Sequence, residues 1–337
     1  MSKSDEPGAL VISLDFELHW GSRDHMSRSD PAYDLVVDER SAVKDLISVF
    51  AARKVRATWA TVGFLFASTW DQLSAHLPAI RPAYRRPELD PYNEPVGPDE
   101  DHDPQHLAGS LVDLIAASPG QEVGSHTFSH YYCLEPGQNE EMFRADLAAA
   151  RALAGERGLK LNSLVLPRNQ WNPAYTDAVL DLGFHCIRGN QPGWSHRATP
   201  GRGGPLRRVA RLADTYVGLS SLPVTPWNEV ALPSGLCNVP ASAFLRPYHS
   251  GRRRFDPLRR ARLRAGMQRA ARTGCIFHLW WHPHNFAQHR QENLSLLGDL
   301  LDDFDELSRI EGMASLTMSD VADRARQSEI TRRPDSQ

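Results

Sequence analysis

The sequence predicts an α/β fold built on a parallel sheet or barrel, and two observations carry that reading. Short apolar strand candidates alternate with helical patterns along most of the chain. Acids or histidines follow several of those strands, at the ends where such folds assemble their sites. With 337 residues, 41% of them hydrophobic, there is apolar material for one large core or two modest ones.

The elements follow in order. Residues 10–14 read as a strand. Residues 41–54 read as a helix, with Val43, Leu46, Ile47 and Phe50 at helical spacing. "VRATWATVG" (55–63) is a strand. The polar, proline-rich stretch 85–105 suits no core element and reads as an inserted loop. "SLVDLIAAS" is a helix, "QEVGSH" a short strand, and "EEMFRADLAAARALAGERG" a helix that stops at Gly158. "LNSLVLP", "PAYTDAVLDLG" and "FHCIRGN" repeat strand, helix, strand. Residues 189–245, rich in Gly and Pro, show no clear elements. "GCIFHLWWHPHN" is a strand ending at Pro283, and "NLSLLGDLLDDFDELSRI" a strongly amphipathic helix. Beyond about residue 325 the chain turns polar and is expected to fray.

Composition excludes several classes of function. A formal net charge of −3 gives no basic field for nucleic acid. The first residues lack a basic segment followed by an apolar one, so no signal peptide is expected, and no apolar run approaches the ~18 residues of a membrane span. Cys133, Cys186, Cys237 and Cys275 are scattered and form no CxxC pair, as expected of reduced thiols in a cytoplasmic protein.

The chemistry begins in "LVISLDFELHWG". Two residues apart on a strand, Asp15 and Glu17 share a face, with Phe16 and Leu18 on the other. Buried carboxylates need compensation. "GSHTFSH" supplies a candidate: His126 and His130 are four apart, and one helical turn would set both imidazoles on one side. Two imidazoles and one carboxylate make the open, three-ligand site of catalytic zinc, and the remaining acid would take a proton from water. In "HLWWHPHN", His278, Trp280 and His282 share a strand face. The strand-end His282 is better placed than His284 to act as an acid.

These motifs, over residues 10–322, resemble in order and spacing the polysaccharide deacetylase (NodB-homology) superfamily, similar to carbohydrate esterase family 4. "SLDFE" resembles its first motif, "GSHTFSH" closely its second, "LVLPRNQ" its third and "FHLWWHP" its last, while "TWATVG" resembles its second-strand signature. Three departures stand out. The acids are spaced by one residue rather than adjacent, as in a branch that includes cyclic-amide hydrolases and enzymes of surface-sugar clusters. The third motif reads PRNQ. The aspartate–tryptophan fourth motif has no clear counterpart, and Trp194 and Asp214 are the candidates.

The resemblance implies a distorted (β/α) barrel forming one catalytic domain over 1–325, and the polar composition of 326–337 implies a disordered tail. It implies one divalent metal, zinc foremost with Co, Ni or Mn as substitutes, held by Glu17, His126 and His130. Asp15 becomes the base, Arg168 its holder, His282 the acid, and a backbone N–H near Asn169 an oxyanion donor. Trp20, Trp59 and Trp281 are candidates to wall a sugar face, with core packing as the alternative. The expected activity is removal of an N-acyl group, N-acetyl above all, from an amino sugar. The expected substrate is a nucleotide- or lipid-linked precursor of a surface polysaccharide or glycoconjugate. A formamide or cyclic-amide hydrolase and an inactive carbohydrate-binding protein are the competing readings. The Arg-rich stretch 246–266 reads as a solvated helix face with Leu258 and Leu263 turned to the core, or as a cationic rim for phosphate or a membrane surface.

Overall fold

The computed structural model describes residues 6–26, 30, 33–193, 198–201, 204, 214–215 and 221–332. Its centre is β1 (Ala9–Phe16), buried along its whole length. On one side β1 pairs in parallel with β2 (Ala57–Thr61) through its C-terminal half, Ser13 to Phe16. On the other it pairs with β9 (Cys275–Trp281). From β2 the sheet continues through β3 (Gln121–Ser125), β4 (Ser163–Leu164), β5 (Cys186–Ile187) and β7 (Cys237–Asn238), all parallel. Beyond β9, β6 (Thr225–Pro226) adds the antiparallel pair. The remaining strands, β8 (Ala243–Phe244) and β10 (Ala314–Leu316), pair with β9 and with the N-terminal half of β1. Among the described residues the path β6-β9-β1-β2-β3-β4-β5-β7 does not close, giving a curled half-barrel.

The helices are α1 (Asp34–Arg53), α2 (Trp70–Ala75), α3 (Gly109–Ala117), α4 (Glu140–Glu156), α5 (Thr176–Asp181), α6 (Asp256–Thr273), α7 (Arg290–Glu311) and α8 (Met318–Arg332). The Asn139 side chain caps α4 by accepting from Met142 N–H at 2.9 Å, worth about 1 kcal/mol. The chain leaves α4 through Gly158, whose φ of 70° suits glycine. The prediction located α1 correctly but started it seven residues late, because its first turns carry charge that masks the period. α8 runs to Arg332, further than the composition suggested, and residues 333–337 lie outside the described ones.

Strand alternation splits the core in two. Leu10, Ile12, Leu14 and Phe16 point outward and pack with Trp59, Phe50, Trp281 and the helix layer. Ala9 and Val11 point inward with Ala60, Val165, Cys186 and Ile276, and Met318, Val321 and Ala322 of α8 join them. The interior is thus filled at the N-terminal end of β1, while Ser13 and Asp15 continue the inward face toward its other end.

Residues 85–105 carry only short 3-10 turns, the second capped by Asp90, and no sheet strand, as their composition predicts. Leu263 of α6 is buried, but Leu258 is 58% exposed. The two are five residues apart, about 140° around a helix, and cannot share a face. Arg259, four before Leu263, takes the inward position and donates to the carbonyls of Arg246 and Pro247.

Candidate functional site

Asp15 is the penultimate residue of β1 and Glu17 lies just beyond the strand, both buried. Gly21 sits over Glu17, and a Cβ there would overlap the Glu17 carboxylate. His126 and His130 follow β3. They do not lie on a helical turn: Thr127 and His130 adopt positive φ, 64° and 58°, and the loop between is irregular. Local bonds hold that loop. Tyr131 N–H donates to Thr127 Oγ1 at 2.7 Å, and buried Asp146 of α4 accepts from Phe128 N–H at 2.7 Å and from Ser129.

The loop carries both imidazoles to one carboxylate oxygen. Glu17 Oε1 is 2.9 Å from His126 Nε2 and 3.2 Å from His130 Nε2. Both ring nitrogens of His126 are buried and make no hydrogen bond among the described residues. A buried imidazole that faces a carboxylate in that way fits a metal ion shared between them. His282 closes the group, its Nε2 3.7 Å from Glu17 Oε2 and 3.8 Å from Asp15 Oδ2, and its ring stacks on His284.

Burial pushes the Glu17 carboxyl up, but the His282 charge and the contacts with His126 and His130 prevail and hold it well below its usual range. Burial likewise raises Asp15, and Arg188, followed by His126 and His282, brings it below the ordinary value. Burial lowers His130 to about 4, against the pull of Glu17. The site therefore sets two ionised carboxylates against the neutral imidazole of His130, a protonation state compatible with a metal ion.

Three expectations need correction. The Asp15 holder is Arg188, not Arg168: Arg188 donates to Asp15 Oδ1 and Oδ2, both at 2.7 Å. Arg168 instead pairs with Asp24 and Glu135 and lies 4.3 Å over the Tyr132 ring, because its turn after β4 points it at the rim. The curl of the sheet brings Arg188, at the end of β5, across the interior to β1. The Asn169 N–H donates to the Leu166 carbonyl at 2.9 Å, which occupies the expected oxyanion donor, while Asn169 Oδ1 accepts from Arg188. Trp20, Trp59 and Trp281 are all fully buried core residues. Trp59 sits beside Ala60, which is the residue aligned with Asp15, so its ring faces the helices. The same alternation puts Trp280, not Trp281, in the cleft, where it stacks under Arg188 at 4.2 Å. Trp194 lies outside the described residues. Asp214 pairs with Arg262 at 2.7 Å and lines the cleft.

A polar chain missed at the sequence level supports Arg188. Arg188 donates to Ser13 Oγ at 2.9 Å, and Ser13 Oγ is 2.8 Å from His278 Nε2. The other ring nitrogen of His278 donates to the Val239 carbonyl at 2.9 Å, which leaves Nε2 to accept from Ser13. A basic residue ending an apolar strand, "CIRGN", was the available signal, the same one that singled out Asp15.

No protein-family description matches the sequence, and no curated protein matches it. Solved structures do. A chain from Mycobacterium smegmatis assigned as a polysaccharide deacetylase aligns over 100% of this chain and 98% of its own, with a TM-score of 0.57 at 13% identity. PuuE allantoinase aligns over 95% and 89%, with a TM-score of 0.53 at 11% identity. A Pseudomonas aeruginosa chain assigned as a polysaccharide deacetylase aligns over 95% and 90%, also at 0.53 and 11%. What these likenesses establish is the architecture: the chain has the distorted (β/α) barrel fold of the polysaccharide deacetylases.

Proposed function

We propose that this chain is a metal-dependent hydrolase that removes an N-acyl group, N-acetyl foremost, from an amino sugar. The observation that carries the reading is the convergence in one cleft of Asp15, Glu17, His130 and His282, with buried His126 2.9 Å from Glu17. Glu17, His126 and His130 would hold one divalent ion, zinc foremost. A bound ion supplies Lewis acidity to an amide carbonyl and to water.

The chain's own residues do the rest. Asp15, ionised and clamped by Arg188, accepts a proton from the attacking water. The clamp fixes the carboxylate plane, so no reorientation is needed as the proton moves. His282, partly exposed beside both acids, delivers a proton to the departing amine, without which an amide nitrogen leaves poorly. Trp280 and Phe244 offer apolar faces on one wall for a sugar ring.

The substrate in this reading is a small or terminal sugar of a nucleotide- or lipid-linked precursor for a surface polysaccharide or glycoconjugate. Residues 190–191, 198–199 and 243–244 wall the cleft, and Arg246, Arg259 and Arg262 outnumber the Asp214 charge that lines it with them, a positive local field that favours a phosphate-bearing substrate. Four buried free cysteines suit the reducing cytoplasm. The PuuE likeness favours one second reading, hydrolysis of another C–N bond such as a formamide or cyclic amide.

The test is mass spectrometry of zinc-loaded protein incubated with N-acetyl and matched N-formyl sugars, nucleotide-linked and lipid-linked, alongside allantoin, chitin oligomers and peptidoglycan. Loss of acetyl from the small precursors, abolished by Asp15→Asn, is the expected result. Preference for N-formyl sugars or allantoin selects the second reading. Preference for the polymers overturns the precursor assignment, and sugar binding without any turnover overturns the enzyme.

A further inference from the structure

A second convergence of metal-ligand atoms uses none of the residues just described. His19 lies on the turn that follows Glu17, and His106 lies just past the inserted loop. Their Nε2 atoms stand 3.8 and 3.6 Å from the same oxygen of Glu94. Both imidazoles are buried, edge to face, with ring centroids 4.9 Å apart. All three ligand atoms lie within 4.8 Å of one another. This repeats the pattern at Glu17, where two histidine Nε2 atoms converge on one carboxylate oxygen.

The surroundings of His106 point the same way. Its Nδ1 is 2.7 Å from Oδ1 of Asp103, whose other oxygen accepts from Gly97 N–H at 2.7 Å. A carboxylate on Nδ1 sets the proton there and leaves a lone pair on Nε2, the way metal-binding histidines are oriented. That nitrogen stands 3.6 Å from the Glu94 oxygen, on the side where His19 also converges. Two tetrahedral ligands at about 2.0–2.1 Å from zinc are about 3.3 Å apart. The two nitrogen–oxygen separations, 3.8 and 3.6 Å, need to contract by about half an ångström or less to reach that spacing.

We propose that His19, Glu94 and His106 bind a second divalent metal, of the zinc class, in a structural role. Two imidazoles and one carboxylate favour a borderline ion such as zinc over magnesium or calcium. The site would tie the insert to the turn after β1. It lies among other ties between these segments: His19 N–H donates to the Gln105 carbonyl at 3.2 Å, Trp20 Nε1–H to the His106 carbonyl at 3.0 Å, and Arg40 to the Pro104 and Leu107 carbonyls, both at 3.1 Å. Since His19 is two residues after Glu17, an ion here would also brace that proposed metal ligand.

The experiment measures zinc per chain by mass spectrometry after chelation, reloading with zinc and desalting. It uses wild type, Glu94→Gln, His106→Gln, His130→Ala and the His130→Ala/Glu94→Gln pair. Wild type should hold about two ions, each single variant about one, and the pair none. Circular dichroism checks the fold, and Glu94→Gln, at a partly exposed side chain, guards against loss of His106→Gln to misfolding. Added zinc should also raise the melting temperature of His130→Ala but not of the pair. Zinc content and melting shift unchanged by Glu94→Gln would overturn the proposal. A single ion kept in His130→Ala and lost in Glu94→Gln would uphold it while removing the hydrolytic metal site, so the two assignments fail separately.

Discussion

Arg188 closes on both carboxylate oxygens of Asp15 at 2.7 Å and is itself held by Ser13 and Asn169. Both members of the pair are buried, so each is the other's compensation for lost solvent. Arg188→Ala should therefore destabilise the fold by about 3–5 kcal/mol, through the stranded Asp15 charge. Arg188→Lys keeps the charge and loses the fork, and should cost about 10–100-fold in kcat with a smaller change in melting temperature. Arg168→Gln should cost less on both counts. Urea unfolding and steady-state kinetics of the three variants check this, and a larger loss of activity in Arg168→Gln would return the clamp to that residue.

Gly21→Ala is a sharper probe of the proposed metal ligands than removing one of them. The added methyl meets the flexible end of Glu17, which moves more cheaply than backbone. Zinc affinity should fall by about 10–100-fold, with the unfolding midpoint of the metal-free chain nearly unchanged. Isothermal titration with zinc, compared with urea unfolding after chelation, would reveal any unshifted affinity.

Neighbouring tryptophans should behave oppositely. Trp280→Ala opens the cleft wall and should raise KM about tenfold while the protein stays folded. Trp281→Ala removes a fully buried ring stacked on Phe286 and should cost about 3–5 kcal/mol of stability. Matched melting curves and Michaelis constants distinguish them.

The strand alternation that separates these two residues was already readable in the sequence, as were Asp15, Glu17, His126, His130 and His282. Each of those five sits at the end of a strand or just past one, where a local pattern announces both the element and its direction. Arg188 was harder to read. Its partner is 173 positions away, and the meeting depends on how far the sheet curls, which no local period encodes. The tryptophans misled for a different reason. An aromatic beside a site residue looks like a sugar platform, yet on a strand the adjacent position faces the opposite layer. The histidine pair was recognised by its spacing, although two left-handed residues, not a helical turn, bring the rings together.

Acid should unfold the metal-free protein through its neutral histidines. Burial, helped by the Arg188 charge, holds His278 down to about 3, and burial lowers His130 to about 4. Unfolded, each would titrate near 6.5. Between those values the unfolded chain binds protons that the folded chain refuses, so the contribution of these two histidines is full above about pH 6.5 and falls as the pH drops toward 4. Each site adds at most about 1.4 kcal/mol per pH unit. In chelator, urea midpoints at pH 7.5 and 5.5 should differ less for His278→Gln than for wild type. An equal drop in both would show that His278 is not held neutral.

Leu18, Thr127, His130, Arg168 and Asn169, none of them glycine, all take positive φ in the loops at the strand ends. Such conformations cost roughly 1–2 kcal/mol each. The rigid sheet beneath carries no comparable burden, so the molecule's cheapest excursions from its native state begin at the rim of the cleft. Amide protons in these loops will exchange with solvent well before those of the central strand. Any species that occupies the cleft therefore acts as a latch as well as a ligand, slowing exchange at the very loops that form its walls.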